Sequence, residues 1–335
     1  MSSFKCFETT IAQVHEAMLA GKLTCRQLVE YYLKRIEAYD QKGPALNSII
    51  LVNPKALEEA DALDAALKEK GLTGALHGIP IILKDNVDTY DMATTAGSLS
   101  LKGFVPEDDA YITRKLREAG AIILAKSNLH EFAIWGETIS SILGQTLNPY
   151  DLTRTPGGSS GGTGAAMAAN FGLAGIGTDT INSIRSPSSA NSLVGIRPTI
   201  GLVSRDGIVP YSFTQDTAGP ICRTVADAVA VLDVIAGYDK ADDETAWCCG
   251  KIPKTYKAFL NKDGLKGKRI GILESFFGKD EVHKEVNKPV RESIEMLKEN
   301  GAELISITEE INSGWLTSSV SVHLDDLKDH LNIYL

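Results

Sequence analysis

Residues 79–83 read IPIIL, and residues 108–125 read DDAYITRKLREAGAIILA. The first is a short apolar run suited to a buried strand. Asp108–Glu118 has the spacing of a helix, closed by Gly120, and Ala121–Ala125 is a second buried strand. Strand, helix and strand in this order, with both strands apolar, define a βαβ unit in a largely parallel sheet. The same order returns late in the chain. Arg269–Leu273 (RIGIL) reads as a strand, and Lys284–Glu299 carries Val286, Val290, Ile294 and Leu297 at helical spacing before Gly301. Ala302–Ile307 (AELISI) then reads as the next strand. No sequence repeat underlies the two units, a common arrangement in α/β chains. Upstream, residues 10–38 read as two amphipathic helices around Gly21-Lys22, and residues 53–70 as another between Asn53-Pro54 and Gly71. Residues 238–266 are polar and turn-rich, and are expected to form a linker or surface excursion. The fold class is α/β.

At 335 residues the chain can bury a large core. Its composition, 43% hydrophobic and 23% charged, is that of a globular protein. The net charge of −9 argues against nucleic acid or an anionic membrane as partner, because phosphate binding needs a basic surface. Cys6, Cys25, Cys222, Cys248 and Cys249 are odd in number and widely scattered, a poor disulfide or zinc framework, so reduced thiols in a cytoplasmic protein are expected. The first residues lack the apolar core of a signal peptide, and no apolar run approaches the ~20 residues of a membrane span. The six histidines form no H-E-x-x-H and no clustered ligand set, so neither metal nor cofactor is expected.

The densest chemistry lies in residues 156–187, PGGSSGGTGAAMAANFGLAGIGTDTINSIRSP, with eight glycines and four serines. Such density marks backbone in special dihedrals or close to a ligand. A flexible linker would not interleave the apolar segments AAMAA and LAGI. A phosphate-binding loop needs G-x-x-x-x-G-K-[ST], and no Lys lies between Arg154 and Arg185. A dinucleotide fingerprint should follow a strand, whereas residues 148–156 (NPYDLTRTP) are turn material. Gly158–Gly162 does match the nucleophile elbow G-x-S-x-G, with Ser160 central. That reading also needs a preceding strand and a marked His, and His283, His323 and His330 have no such context.

Three separated residues give a better account. Lys84 lies at the carboxyl end of IPIIL, and Ser183 lies just past a strand at Leu173–Thr178. Ser159 opens the turn before a helix at Gly162–Asn170. Ligands of open α/β sheets bind at the carboxyl ends of strands, where these residues would converge. A Lys directly after five apolar residues would be buried and its pKa depressed, and a neutral amine can act as a base. On its own, Lys84 would be read as snorkelling or pairing with Asp85 or Asp88.

Several segments together resemble the amidase signature family: HGIPIILKDN (77–86), TTAGS (94–98), AKSNLHEFA (125–133), NPYDLTRTPGGSSGG (148–162), GTDTINSIRSPSS (177–189), VGIRPTIGLVSRDGIVP (194–210) and QDTAGPICRTVADA (215–228). The likeness is strong over residues 8–240, weaker over 265–335, and greatest to enzymes of the peptide amidase kind. It implies a mixed, mostly parallel sheet flanked by helices on both faces. Residues 1–75 would be a helical segment packing on the core, 76–240 the core with the catalytic residues, and 241–335 a further βαβ part of the same domain.

The resemblance also implies roles. Ser183 would be the nucleophile, Ser159 the bridging serine after a cis Gly158–Ser159 peptide, and Lys84 the base. The backbone N–H groups of Thr180, Ile181, Asn182 and Ser183 would form the oxyanion hole, and Asp179 and Arg185 would brace that loop. The family usually has Gly-Gly or Asp-Gly where this chain has Ile181-Asn182. A β-branched Ile there is expected to tilt the hole or narrow the acyl pocket, and Asn would tolerate φ > 0 if the loop required it. Family chains usually continue for another ~100 residues or more. HLDDLKDHLNIYL (323–335) resembles a mid-chain segment, so an uncovered sheet edge and apolar surface would favour instability or association, a homo-oligomer being one form of the latter. The implied activity is hydrolysis of a small-molecule or peptide amide. Two other readings stand beside it: a truncated, weakly active or inactive paralogue with a binding or regulatory role, and an ammonia-delivering glutaminase like the A chain of the tRNA-dependent amidotransferases.

Overall fold

The computed structural model describes residues 4–335, in two compact units: the chain up to Tyr256 together with His323–Leu335, and Lys257–Val322. Among the described residues no helix is long and apolar enough to cross a membrane. None of the five cysteines forms a disulfide.

The larger unit is built on a six-stranded sheet. It opens with two helices, α1 (Ile11–Leu19) and α2 (Cys25–Arg35), each started by a threonine capping box, Thr10 with Gln13 and Thr24 with Gln27. There follow β1 (Ile49–Val52), α3 (Ala56–Lys70), β2 (Pro80–Lys84), α4 (Tyr111–Glu118) and β3 (Ile122–Ser127). A small hairpin, β4 (Ile139–Ser140) and β5 (Gly144–Gln145), precedes α5 (Gly161–Ala168) and β6 (Ala174–Asp179). The sheet closes with α6 (Arg185–Ala190), β7 (Val194–Gly195), β8 (Thr217–Cys222) and α7 (Val225–Ile235). Strand order is β1-β3-β2-β6-β8-β7. Its centre, β3-β2-β6, is parallel, and β1, β8 and β7 add antiparallel pairings. β2, β3, β6 and β8 are buried along their whole length, as a sheet covered on both faces requires.

The predicted strands and helices fall within a few residues of those observed, while several other elements are not among them, and two of these, β1 and β8, carry too little local signal to be predicted. β1 is only four residues long. β8, legible only as part of a family motif, contains Gly219 and Pro220 (TAGPIC), which depress strand propensity. It persists because it is wholly buried between β6 and β7. α7 follows it directly, capped by the Thr224 hydroxyl accepting from the Asp227 N–H.

Close approach of α5 to the sheet shapes the turn before it. A Cβ on Gly162 would lie 2.1 Å from the Asn128 carbonyl oxygen, and one on Gly177 would lie 2.8 Å from Ser160 Oγ. These two glycines let the helix start sit directly on the strand ends.

Residues 238–266 are largely exposed, as a surface excursion would be, but the stretch 238–248 is anchored through buried side chains. Asp239, Asp242 and Thr245 are buried. Asp239 accepts from Ser204 Oγ at 2.6 Å, and Asp242 accepts from the Arg205 N–H and Nε, each at 2.8 Å. The polarity serves internal pairing, which composition does not distinguish from solvation. α10 (His323–Tyr334), the last helix of this unit, docks on the 211–213 segment. Ser212 Oγ donates to Asp326 at 2.6 Å, and the Phe213 N–H donates to His330 Nδ1 at 2.9 Å.

The smaller unit is the late βαβ unit read from the sequence. β9 (Arg269–Leu273) and β10 (Glu303–Ile307) pair in parallel, joined by α8 (Lys284–Glu299), and a short α9 (Ser313–Trp315) follows. Of its residues only Ile272 and Ala302 are buried apolar side chains.

Candidate active site

Lys84 ends β2 and is fully buried, the expected place for a side chain that directly follows buried strand residues. Its Nζ lies 2.7 Å from Ser159 Oγ and 2.8 Å from Thr178 Oγ1 on the neighbouring strand β6. Removal from water pushes the ammonium down to about 7, against the upward pull of Asp179 and Asp216. It pairs with neither Asp85 nor Asp88. Asp85 instead faces a second buried lysine, Lys126, whose Nζ lies 3.5 Å from its carboxylate. Asp88 accepts from the Tyr334 hydroxyl at 2.8 Å.

Ser159 follows a cis peptide bond at Gly158. The turn is fixed from three sides: the His130 N–H donates to the Ser159 carbonyl at 3.0 Å, the Ser160 N–H to the Ser183 carbonyl at 3.3 Å, and the Gly162 N–H to the Asn128 carbonyl at 3.1 Å. The second of these bonds joins the Ser159 turn to the Ser183 segment. Ser183 is buried, and no hydrogen bond joins its hydroxyl to Ser159 among the described residues. Ser160, the alternative elbow serine, is committed elsewhere. Its hydroxyl donates to the Thr178 carbonyl at 3.1 Å and accepts from the Thr178 N–H at 3.2 Å, bracing α5 to β6.

The loop from Thr180 to Ser183 crosses the end of β6. No hydrogen bond engages the N–H groups of Thr180, Ile181, Asn182 or Ser183 among the described residues. The next N–H, that of Ile184, donates to Asp179 at 2.9 Å. Neither Ile181 nor Asn182 has a positive φ, so the loop does not call on the tolerance of Asn for that region. Both residues are exposed. Asp179 is fully buried and faces Arg185 at 3.4 Å and Arg197 at 3.1 Å. Arg185 also reaches the Ile181 carbonyl. Arg197 carries no mark of its own in the sequence; it lies in the quoted segment 194–210, eighteen residues from its partner.

Two further residues escape a reading of the sequence. Thr178 is the hydroxyl partner of Lys84, and Asn86 Nδ2 donates to the same oxygen at 3.2 Å. Asp216, just before β8, is buried and bonded to the Thr180 hydroxyl. Period-two alternation along β6 could place Thr178 and Thr180 on one face, but Asp216 is reached only through β8. Asn86, Thr178, Thr180, Tyr211, Phe213 and Asp216 line a small cavity of about 10 Å³.

A buried amine of depressed pKa thus touches a serine hydroxyl, beside a loop whose backbone N–H groups have no partner among the described residues. The model of the family described as Amidase matches residues 27–322, and the chain belongs to that family. It is 44% identical over 283 residues to a probable amidase of Arabidopsis thaliana, covering 81% of this chain and 54% of that protein. It is 42% identical over 299 residues to the A chain of the glutamyl-tRNA(Gln) amidotransferase of Acinetobacter baumannii, covering 89% of this chain and 59% of that one. Among solved structures, native peptide amidase from Stenotrophomonas maltophilia superposes with a TM-score of 0.92 at 43% identity, over 98% of this chain and 68% of that chain. The chain thus spans little more than half the length of the curated relatives it matches.

Proposed function

We propose that this protein hydrolyses a carboxylic amide C–N bond to a carboxylate and ammonia or an amine, through Lys84, Ser159 and Ser183. The observation that carries the reading is the 2.7 Å contact between the Lys84 amine and the Ser159 hydroxyl, made where Lys84 has no exposed surface. With the amine neutral, its N–H groups face the Thr178 hydroxyl and carbonyl, at 2.8 and 3.5 Å, and its lone pair is left for the Ser159 proton. Ser159 in turn takes the proton of Ser183, and Ser183 Oγ attacks the amide carbonyl. The tetrahedral oxyanion would lie against the N–H groups of residues 180–183, with Asp179, Arg185 and Arg197 bracing the loop. The relay then protonates the leaving amine, and water, deprotonated by the same path, releases the carboxylate from Ser183. Similarity to peptide amidase makes a peptide amide the first substrate class to test.

The test is release of ammonia from C-terminally amidated peptides. Loss of that release in Ser183→Ala and Lys84→Ala, with the fold retained, is expected. Undiminished turnover in either variant would defeat the proposal. The amidotransferase relatives favour a second reading, in which the amide is that of glutamine. Ammonia release from free glutamine and not from peptide amides would select it.

A further inference from the structure

The carboxylate of Asp216 joins two walls of the site. In the register of β6 and β8, Asp179 stands opposite Thr217, so Asp216 stands opposite Thr180. Directly paired residues of an antiparallel ladder share a face. Thr178 is two residues before Thr180 and therefore shares that face as well. This is the face on which Lys84 meets the Thr178 hydroxyl. One Asp216 oxygen accepts from the Thr180 hydroxyl, and the other accepts from the N–H groups of Tyr211 and Ser212 at 2.8 and 2.9 Å. Thr180 opens the oxyanion loop, whereas Tyr211 and Ser212 belong to the segment that walls the small cavity. One buried side chain thus fixes two segments, at Thr180 and at Tyr211-Ser212, that are far apart in sequence.

We propose that Asp216 is a positioning residue of this centre, tying the oxyanion loop to the pocket wall and presenting a negative charge to Lys84. The inference rests on the reading of Lys84 as base. The charged and titratable groups facing Lys84 are Asp179, Asp216 and His130. Asp179 is matched by Arg185 and Arg197. Asp216 has hydrogen-bond donors but no cation within ion-pair distance among the described residues; Arg205, which feels its charge from farther away, is paired with Asp242. Burial raises its own pKa, while Thr180, Ser212 and Tyr211 hold the anion by donating to it. Removing that charge lets the Lys84 amine lose its proton more readily.

The experiment follows the rate of fluorophosphonate labelling at Ser183 against pH, in wild type, Asp216→Asn and Thr180→Val, with folding checked by thermal melting. Asp216→Asn is expected to label up to about 10²-fold more slowly at its optimum, the order of loss for a site misplaced by ~1 Å. Its acid limb is expected to move to lower pH. Thr180→Val removes the tie and keeps the charge, so it is expected to label slowly with the acid limb unmoved. A folded Asp216→Asn with wild-type rate, or with an unmoved acid limb, would overturn the proposal. If Asp216→Asn does not fold, Thr180→Val decides, and a wild-type rate there would overturn it. Failure of the underlying reading looks different: wild type itself would not label, or Lys84→Ala would label normally.

Discussion

Taking a lysine ammonium out of water costs several kcal/mol, and at Lys84 no carboxylate sits in contact to offset it. The side chain therefore releases its proton near neutral pH. The pKa falls from 10.5 to about 7, so in the folded chain the neutral form prevails above about pH 7. Activity that needs a neutral amine should fall as pH drops through that value, which a pH profile of kcat/KM would display as the acid limb. The same shift has a stability consequence of defined sign. Between about pH 7 and 10.5 the unfolded chain holds a proton that the folded chain lacks, so this residue's penalty is full below 7 and fades as pH rises toward 10.5. Lys84→Met is therefore expected to abolish turnover and yet melt higher at pH 7, by about 2–4 °C for each kcal/mol regained. The gap to wild type should narrow at pH 10. A variant that melts lower at pH 7 would show that the amine contributes net stability.

At the level of elements, the site is a matter of how closely α5 approaches the strand ends. Gly162 has no room for a Cβ against the Asn128 carbonyl, and its N–H is bonded to that carbonyl. Gly162→Ala should push the turn at Ser159 away from Lys84. We expect a loss of about 1–3 kcal/mol in stability, as for other overpacked positions, with a disproportionate fall in kcat. Chemical denaturation beside kinetics would separate the two, and unchanged kcat would contradict the account. Glycine density signals this crowding in the sequence without saying what presses on it. Lys84 is legible because a charge directly after five apolar residues conflicts with its surroundings, and such conflicts mark sites. Asp216 is not, because its partners come from residues 180, 211 and 212 and depend on β8, whose Gly219 and Pro220 hide a strand. Burial between two partner strands overrides local propensity there. The same blindness applies to Asp239 and Asp242, whose pairing with Ser204 and Arg205 turns a polar stretch into anchored structure.

Across the whole molecule the two units differ in how their cores are made. The larger unit buries entire strands, whereas the smaller one has Ile272 and Ala302 as its buried apolar side chains. Amide exchange should reflect this, with β9 and β10 exchanging well before β2 and β6. Equal protection in all four strands would show that the smaller unit is held more firmly than its burial implies. The residues proposed for the chemistry, in contrast, all belong to the larger unit, since Lys84, Ser159, Thr178, Ser183 and Asp216 lie before Tyr256. The central claim is that these residues assemble a working serine nucleophile, and mass spectrometry of the fluorophosphonate-treated protein tests it most directly. The account predicts one adduct, on the peptide containing Ser183, that disappears in both Ser183→Ala and Lys84→Ala. An adduct on Ser160, or none on a folded wild-type chain, would contradict it.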